Sequence, residues 1–299
     1  MHESVLLKES IDGLDLHDGD VVVDGTLGRA GHAIEASKRA KDIFIIGIDR
    51  DLDALTESKE KLEQAAKETG AKFRLFRGNF RDMDKFVAEA GKPAADKIIL
   101  DLGLSSPHLD SSGRGFSFRN DEPLLMTMEK EPGKDAFTAR DIVNGWAEED
   151  IANVIYAYGE ERYARRIARA IVAAREAAPI ETTHRLVEIV QSAVPGMYKR
   201  GKIHPATRTF QALRIAVNDE LGSLREGLNK AFAALSTGGR MAVISFHSLE
   251  DRIAKTAMKQ WQKEGKGDQL TKKPVTPSEE ERSANPRSRS AKLRIFIKN

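Results

Sequence analysis

The chain has 299 residues, 40% hydrophobic and 31% charged, enough for one large or two moderate domains, with no run near the roughly 18 apolar residues of a membrane span. It has no cysteine, which excludes disulfides, thiolate zinc sites such as those of zinc deaminases, and a cysteine nucleophile; with no signal-like pattern at Met1–Lys8, a cytoplasmic location is expected. Forty-eight Lys/Arg nearly balance 46 Asp/Glu for a net +2, so any polyanion partner must be sought in local charge.

Four apolar runs in the first third each end in a turn or polar cluster: Val21–Asp24, Phe44–Asp49, Phe73–Arg77 and Lys97–Asp101. Separated by stretches of helical composition such as Asp53 to Thr69, they read as βαβ units with buried parallel strands. A fifth strand is expected over Arg240–Phe246 after a Gly-Gly turn, and a last alternating one over Lys292–Ile297. Between the fourth and fifth strands lie 138 residues, Leu102 to Gly239, where a crossover needs only a few tens. About 100 of them must be an insertion, with helical patterns over Ala147–Tyr158, Gly159–Ala178 and Thr183–Val194. The pattern from about Ala206 to Leu235 then resumes the crossover. Glu264 to Ser290, rich in Lys, Pro, Ser and Glu, reads as a mobile loop.

Directly after the first strand comes Asp24-Gly25-Thr26-Leu27-Gly28-Arg29-Ala30-Gly31-His32, opening a helix. Glycines at 25, 28 and 31 permit positive φ and close approach of a ligand, and the helix N-terminus favours an anionic group such as a carboxylate. Asp49, closing the second strand, stands where a carboxylate reaches ribose hydroxyls, although it also suits an ordinary helix N-cap. Phe80, after the third strand, suits either an adenine neighbour or core packing. A dinucleotide fingerprint is G-x-G-x-x-G around a pyrophosphate. Here the spacing is G-x-x-G-x-x-G behind an aspartate, which suits a cofactor with an ammonium or sulfonium, as in S-adenosylmethionine, and suits a nicotinamide dinucleotide poorly.

The fourth strand runs into Asp101-Leu102-Gly103-Leu104-Ser105-Ser106-Pro107-His108. In a sheet wound outward from its first strand, the carboxyl ends of strands one and four flank the topological switch point, so this segment should face the glycine loop. Pro107 forces Ser106 to an extended conformation, and the Ser106 carbonyl can then project as an acceptor. Acceptors of that kind would hold the hydrogens of an exocyclic base amine, a poor nucleophile, and favour attack on a sulfonium methyl. Ser-Ser-Pro is also a common loop sequence.

Local charge concentrates in two places. Glu160 to Arg208 holds ten Lys/Arg against five Asp/Glu, and Arg282 to Asn299 holds six against none. On a helix from Arg162, the side chains of Arg162, Arg165, Arg166 and Arg169 fall within an arc of about 100°. Such a stripe suits phosphates, unless it pairs internally with Glu160 and Glu161. Arg208, Arg214, Arg252, Arg287 and Arg289 would extend it. His247, after the fifth strand, is placed either to contact a target nucleotide or to serve the fold.

Taken together, these motifs closely resemble the bacterial small-subunit ribosomal RNA (cytidine-N4)-methyltransferase family. The longest matches are Asp24–His32, Leu100–Leu109, His204–Ile215 and Ser245–Arg252; His2–Ile11, Gly47–Asp51, Arg114–Phe118, Tyr158–Arg162 and Asn285–Arg287 add to them. The resemblance implies an α/β fold, a Rossmann-like S-adenosylmethionine-dependent methyltransferase sheet with an all-helical domain inserted between the fourth and fifth strands. The implied division is a catalytic domain of 1–110 and 206–299 and a helical substrate-binding insert of 111–205. It also implies cofactor contacts at Ala30, Gly31, His32, Asp49, Phe80, Asp101 and His108, with Ser105, Ser106 and Pro107 at the reacting end. RNA contacts are expected at Arg162, Arg165, Arg166, Arg169, Arg208 and His247. The implied reaction methylates a cytidine N4 in the decoding region of 16S RNA in an assembled small subunit, with no metal and no membrane. Alternatives are a non-catalytic RNA-binding assembly factor that retains a nucleotide pocket, or an amino-methyltransferase acting on DNA or protein. The chain departs from the family pattern at Ala30, where glycine is usual and which negative φ would tolerate. It departs again at His108, where glutamine is common, and at Leu125 and Thr127, which replace an aspartate and an arginine.

Overall fold

The computed structural model describes residues 4–103, 112–129 and 136–299. Two compact units emerge, one of residues 1–103 with 221–299 and the other of residues 104–220. No helix among the described residues is long and apolar enough to cross a membrane.

The first unit is built on a seven-stranded sheet: β1 Val21–Asp24, β2 Phe44–Asp49, β3 Lys72–Arg77, β4 Ala95–Asp101, β5 Leu235–Ser245, β6 Gly267–Gln269 and β7 Lys292–Lys298, in the order β3-β2-β1-β4-β5-β7-β6. The first five in that order are parallel, and β7 runs antiparallel to both β5 and β6. All four residues of β1 are buried, as are the central residues of β2 and β4 and the run Met241–Ser245 of β5, so these stretches are nearly continuous apolar runs covered on both faces. One face packs Met83, Leu224, Leu228, Met258 and Trp261; the other packs Leu6, Leu14, Ala33, Leu55 and Leu62. Because β1 pairs with β2 on one side and β4 on the other, the strand order reverses between β1 and β4. This is a Rossmann-like doubly wound sheet, whose carboxyl-end crevice lies at that reversal.

Two features differ from the sequence-based expectation. The segment Glu264 to Ser290 is not a structureless loop. It contributes β6, a helix over Glu279–Ala284 capped by Ser278, and a 3-10 turn over Pro286–Ser290. The Leu6 amide donates to the Glu281 carboxylate at 2.8 Å, tying this segment back to the N-terminal helix. Likewise, the Gly-Gly expected to be a turn before β5 lies inside the strand. The β4–β5 register moves from Ala95↔Leu235 to Lys97↔Arg240, so Ser236–Gly239 form a bulge with Gly238 at φ +76°.

The second unit is helical. Helices Ala139–Gly145, Glu148–Gly159, Ala164–Ala177, Thr183–Ala193 and Thr207–Asn218 surround a core that includes Ile151, Ile155, Ile167, Ile171, Leu186 and Val190. Helix Thr207–Asn218, read from sequence as part of the crossover, packs here instead: Phe210 and Leu213 join that core. Gly159 is the point of closest approach, since a Cβ there would sit 2.5 Å from the Arg208 carbonyl oxygen. Asn218 and Arg114 pin the segment carrying the departures at 125 and 127. Asn218 donates to the Met126 carbonyl at 2.7 Å and accepts from the Met128 amide at 2.9 Å, while Arg114 donates to the Met128 carbonyl at 2.8 Å. Thr127 is buried, and the backbone around it is held by the Asn218 amide and the Arg114 guanidinium.

Candidate functional site

The carboxyl ends of β1, β2 and β4 bring together three aspartates: Asp24, Asp49 and Asp101. Their backbones are locked by a short network. The Thr26 hydroxyl accepts from the Asp101 amide at 2.6 Å, and the Gly25 amide donates to the Ile99 carbonyl at 3.0 Å. Glycine loop and fourth-strand end are thus joined directly, as the switch-point argument requires up to Gly103. Ser105, Ser106, Pro107 and His108 lie outside the described residues.

Asp49 organises the loop rather than capping the following helix. Its Oδ2 accepts from the Gly28 amide at 2.8 Å and its Oδ1 from the Asp51 amide at 2.9 Å. Asp51 is the actual N-cap of helix Leu52–Thr69, accepting from the Asp53 amide at 2.9 Å. The N-cap alternative for Asp49 is therefore excluded.

The three glycines have different reasons. Only Gly28 has a left-handed backbone, at φ +50°. Gly25 is required by packing, since a Cβ would meet the Leu100 side chain at 2.5 Å, and at Gly31 a Cβ would meet the Ser4 hydroxyl oxygen at 2.0 Å. The expectation of negative φ at Ala30 is overturned: Ala30 is fully buried at φ +60°. A left-handed alanine costs about 1–2 kcal/mol, so the bend is imposed by its surroundings. It leads into helix Gly31–Arg39, whose first turn is met at the Ala33 backbone by the Asp24 carboxylate.

Burial sets the ionisation of the groups gathered at the crevice. Desolvation raises Asp24 to about 7, opposed by the Thr26 amide and reinforced by Asp49. Asp101 is likewise pushed well above its usual range by burial, then by the charges of Asp24 and Glu250, an effect softened because 24% of its side chain remains exposed. Burial lowers His32 to about 4, against a hydrogen bond with the Val5 backbone. His32 is thus neutral near pH 7, and its 3.9 Å approach to Asp101 is not an ion pair. Asp101 Oδ1 and His32 Nε2 are both buried with no hydrogen-bond partner among the described residues. An orphaned carboxylate oxygen on Asp101, beside the Asp24 carboxylate, fits a ligand that brings positive charge and N–H or O–H donors. Asp24, absent from the cofactor contacts expected above, belongs to the same set; its signal was its place at the end of a strand adjacent to the one ending in Asp101.

Phe80 adjoins this site without being devoted to it. Its Cβ lies beside Gly25, and its ring rests where a Gly227 side chain would be, at 2.3 Å. The ring is partly buried against the sheet's core. His247 caps a helix through its Nδ1, while its Nε2 has no hydrogen-bond partner among the described residues. It is the N-cap of helix Ser248–Lys263, in a reciprocal box where its Nδ1 accepts from the Glu250 amide at 3.4 Å and Glu250 accepts from the His247 amide at 3.3 Å.

In the helical unit, Arg162, Arg165, Arg166 and Arg169 are all exposed, opposite the buried face of Ala164, Ile167, Ala168 and Ile171. The helix starts at Ala164, five residues after the start of the expected Gly159–Ala178 pattern, so Arg162 precedes it. Pairing with Glu161 is excluded for this stripe, because Glu161 is fully buried and accepts from the Tyr163 amide and the Tyr198 hydroxyl. Arg169 makes one loose pair, with Glu148 at 3.6 Å. Arg208 donates to the Glu160 carbonyl at 3.2 Å. Arg214 does not extend the basic surface as expected: its side chain is 16% exposed and engages Glu220 at 2.8 Å.

Comparison with known proteins agrees with this assembly. The chain is 49% identical over 299 residues to a ribosomal RNA small subunit methyltransferase H of Deinococcus deserti, covering 98% of this chain and 92% of that one. Proteins of the same name from Syntrophotalea carbinolica and Symbiobacterium thermophilum are 46% and 45% identical, each over 99% of this chain and 97% and 96% of their own lengths. The family model described as the MraW methylase family matches residues 1–299, and the chain belongs to that family.

Proposed function

We infer that this chain uses S-adenosylmethionine to methylate the exocyclic N4 of a cytidine in the decoding region of 16S ribosomal RNA, in an assembled small subunit and hence in the cytoplasm. The carrying observation is the acidic crevice of Asp24, Asp49 and Asp101 at the switch point of the sheet, in a chain whose relatives are named as ribosomal RNA methyltransferases. When bound, the cofactor supplies an electrophilic methyl group on a sulfonium.

The chain's own residues would do the rest. Asp101 and Asp24 would hold the cofactor's ammonium, and the Ala30–His32 turn with the helix behind it would hold its carboxylate. Asp49, fixed by two backbone amides, keeps further lone pairs for ribose hydroxyls, with Phe80 beside the adenine. Ser105, Ser106 and Pro107 would offer acceptors to the amine hydrogens, and His108 would complete the cofactor contacts; both roles rest on the resemblance. The target base must leave its stack to react. The arginines at 162, 165, 166, 169 and 208 would hold phosphates, making the helical unit the substrate-binding part, while His247 would stand at the sheet's carboxyl edge.

Mass spectrometry of 16S RNA from a deletion strain tests the reading: loss of one N4-methylation is expected, and unchanged methylation at every cytidine refutes it. Transfer of labelled methyl to DNA or protein extract rather than to purified subunits would move the target. Absence of any S-adenosylmethionine binding would leave a non-catalytic RNA-binding assembly factor.

A further inference from the structure

Within the sheet unit, two parts of the chain 275 residues apart meet through a single hydrogen bond: the Leu6 amide donates to Glu281 Oε1 at 2.8 Å. Glu281 stands in the first turn of the short helix Glu279–Ala284, which Ser278 caps. Leu6 immediately precedes helix Leu7–Leu14 and is fully buried at φ +50° and ψ +35°, the left-handed region that a residue with a Cβ avoids. A buried amide needs an acceptor. For Leu6 that acceptor comes from near the other end of the sequence, so Glu281 helps to hold a conformation that local preference opposes.

The residues so held sit against the crevice. Ser4 Oγ stands 2.0 Å from where a Gly31 Cβ would be, so the bare backbone at Gly31 admits Ser4. The Val5 backbone shares a hydrogen bond with the ring of His32, itself 4% exposed. His32 Nδ1 in turn lies 3.9 Å from Asp101 Oδ2. A run of contacts therefore leads from Glu281 through Leu6, Val5 and His32 to the carboxylate with the orphaned oxygen. The groups read as holding the nucleoside have other supports. Asp49 is fixed by the Gly28 and Asp51 amides, and Phe80 rests beside Gly227. Whatever Glu281 contributes should thus reach one end of the cofactor and not the other.

We propose that Glu281 is a positioning residue for the amino-acid end of the methyl donor: through the Leu6 amide it seats residues 4–6 on Gly31 and His32 and so fixes the His32 ring beside Asp101. The proposal rests on the S-adenosylmethionine reading and deepens it, assigning a task to a segment that touches none of the cofactor contacts directly. Glu281 acts by reach and by accepting a hydrogen bond. Its charge is incidental, and an uncharged acceptor of the same length should serve.

The test is calorimetric binding of two ligands to the full chain: S-adenosylhomocysteine, which carries the amino-acid chain, and methylthioadenosine, which has the nucleoside and sulfur without it. Glu281→Ala should weaken S-adenosylhomocysteine about tenfold, the order of one misplaced hydrogen bond to a charged group, and leave methylthioadenosine unchanged. Glu281→Asp, which keeps the charge but is a methylene too short, should follow Glu281→Ala. Glu281→Gln, which keeps the reach and an acceptor oxygen, should restore most of the affinity. Native affinity for S-adenosylhomocysteine in Glu281→Ala overturns the proposal. An equal loss for methylthioadenosine overturns it too, since that would make Glu281 a staple of the fold alone. So does a Gln variant as weak as the Ala one, or an Asp variant as strong as the native chain. A native chain that binds neither ligand overturns the S-adenosylmethionine reading and the proposal with it, an outcome distinct from a native chain that binds both and variants that match it.

Discussion

Replacing Asp24 with asparagine should stabilise the cofactor-free protein, and the gain should grow with pH. Asp24 is 2% exposed, and burial, with Asp49 adding to it, lifts its pKa from 3.8 to about 7. A group whose folded pKa is raised contributes its full stability below the unfolded value and loses it as pH climbs through the folded value. At 1.36 kcal/mol per pK unit, the ionised carboxylate costs about 4 kcal/mol once both states are charged. Between about pH 5 and pH 8 the cost rises by roughly 2–3 kcal/mol, since part of it has already accrued at the lower pH. Asparagine keeps an oxygen to accept from the Thr26 amide, 3.2 Å away, and carries no charge to desolvate. Urea unfolding at the two pH values, followed by the fluorescence of Trp261 in a Trp146→Phe background, reports on the sheet unit alone, because Trp261 belongs to that unit's core and Trp146 to the helical one. A pH-independent increment, or a destabilisation that deepens with pH, would mean that Asp24 ionises in the fold without penalty, contrary to the desolvation described for the crevice. The same variant should bind S-adenosylmethionine at least tenfold more weakly, as expected for losing a hydrogen bond to a charged group.

Three other perturbations follow from the same structure. Gly159→Ala should destabilise the helical unit by about 1–3 kcal/mol, as overpacking does, because its new Cβ meets the Arg208 carbonyl at 2.5 Å; Trp146 fluorescence during unfolding checks it. Arg162→Ala with Arg166→Ala should weaken RNA binding and flatten the plot of log affinity against log salt by about 0.7 for each phosphate of a single strand that is no longer neutralised; an unaltered slope would mean those side chains point away from the RNA. Asp251→Ala should cost about 3 kcal/mol, the order for stranding one partner of a buried pair, since Arg294, whose side chain is 6% exposed, lies 2.7 Å from it; denaturant midpoints decide.

The strands were legible because buried parallel strands must be apolar throughout, and Val21–Val23 and Ile45–Ile48 have few polar neighbours to obscure them. The order of strands followed from βαβ winding, and with it the meeting of Asp24 and Asp101. What stayed hidden was set by distant partners. Nothing near Glu281 announces that its carboxylate will bind the Leu6 amide, so its polar surroundings read as loop. Arg214 counts as basic surface until its packing against Glu220 is visible. Ala30 shows the same limit on a smaller scale: residue type argues for negative φ, yet the turn between Gly28 and the helix enforces +60°.

The most direct check on the crevice is calorimetric titration of S-adenosylmethionine into the native chain and Asp49→Ala, in buffers of differing ionisation enthalpy near pH 7. The native chain should bind with protons released from the aspartates as the cofactor's positive charge enters, and the variant should bind far more weakly. Binding without proton release, undiminished by the loss of Asp49, would contradict the role given to the three carboxylates.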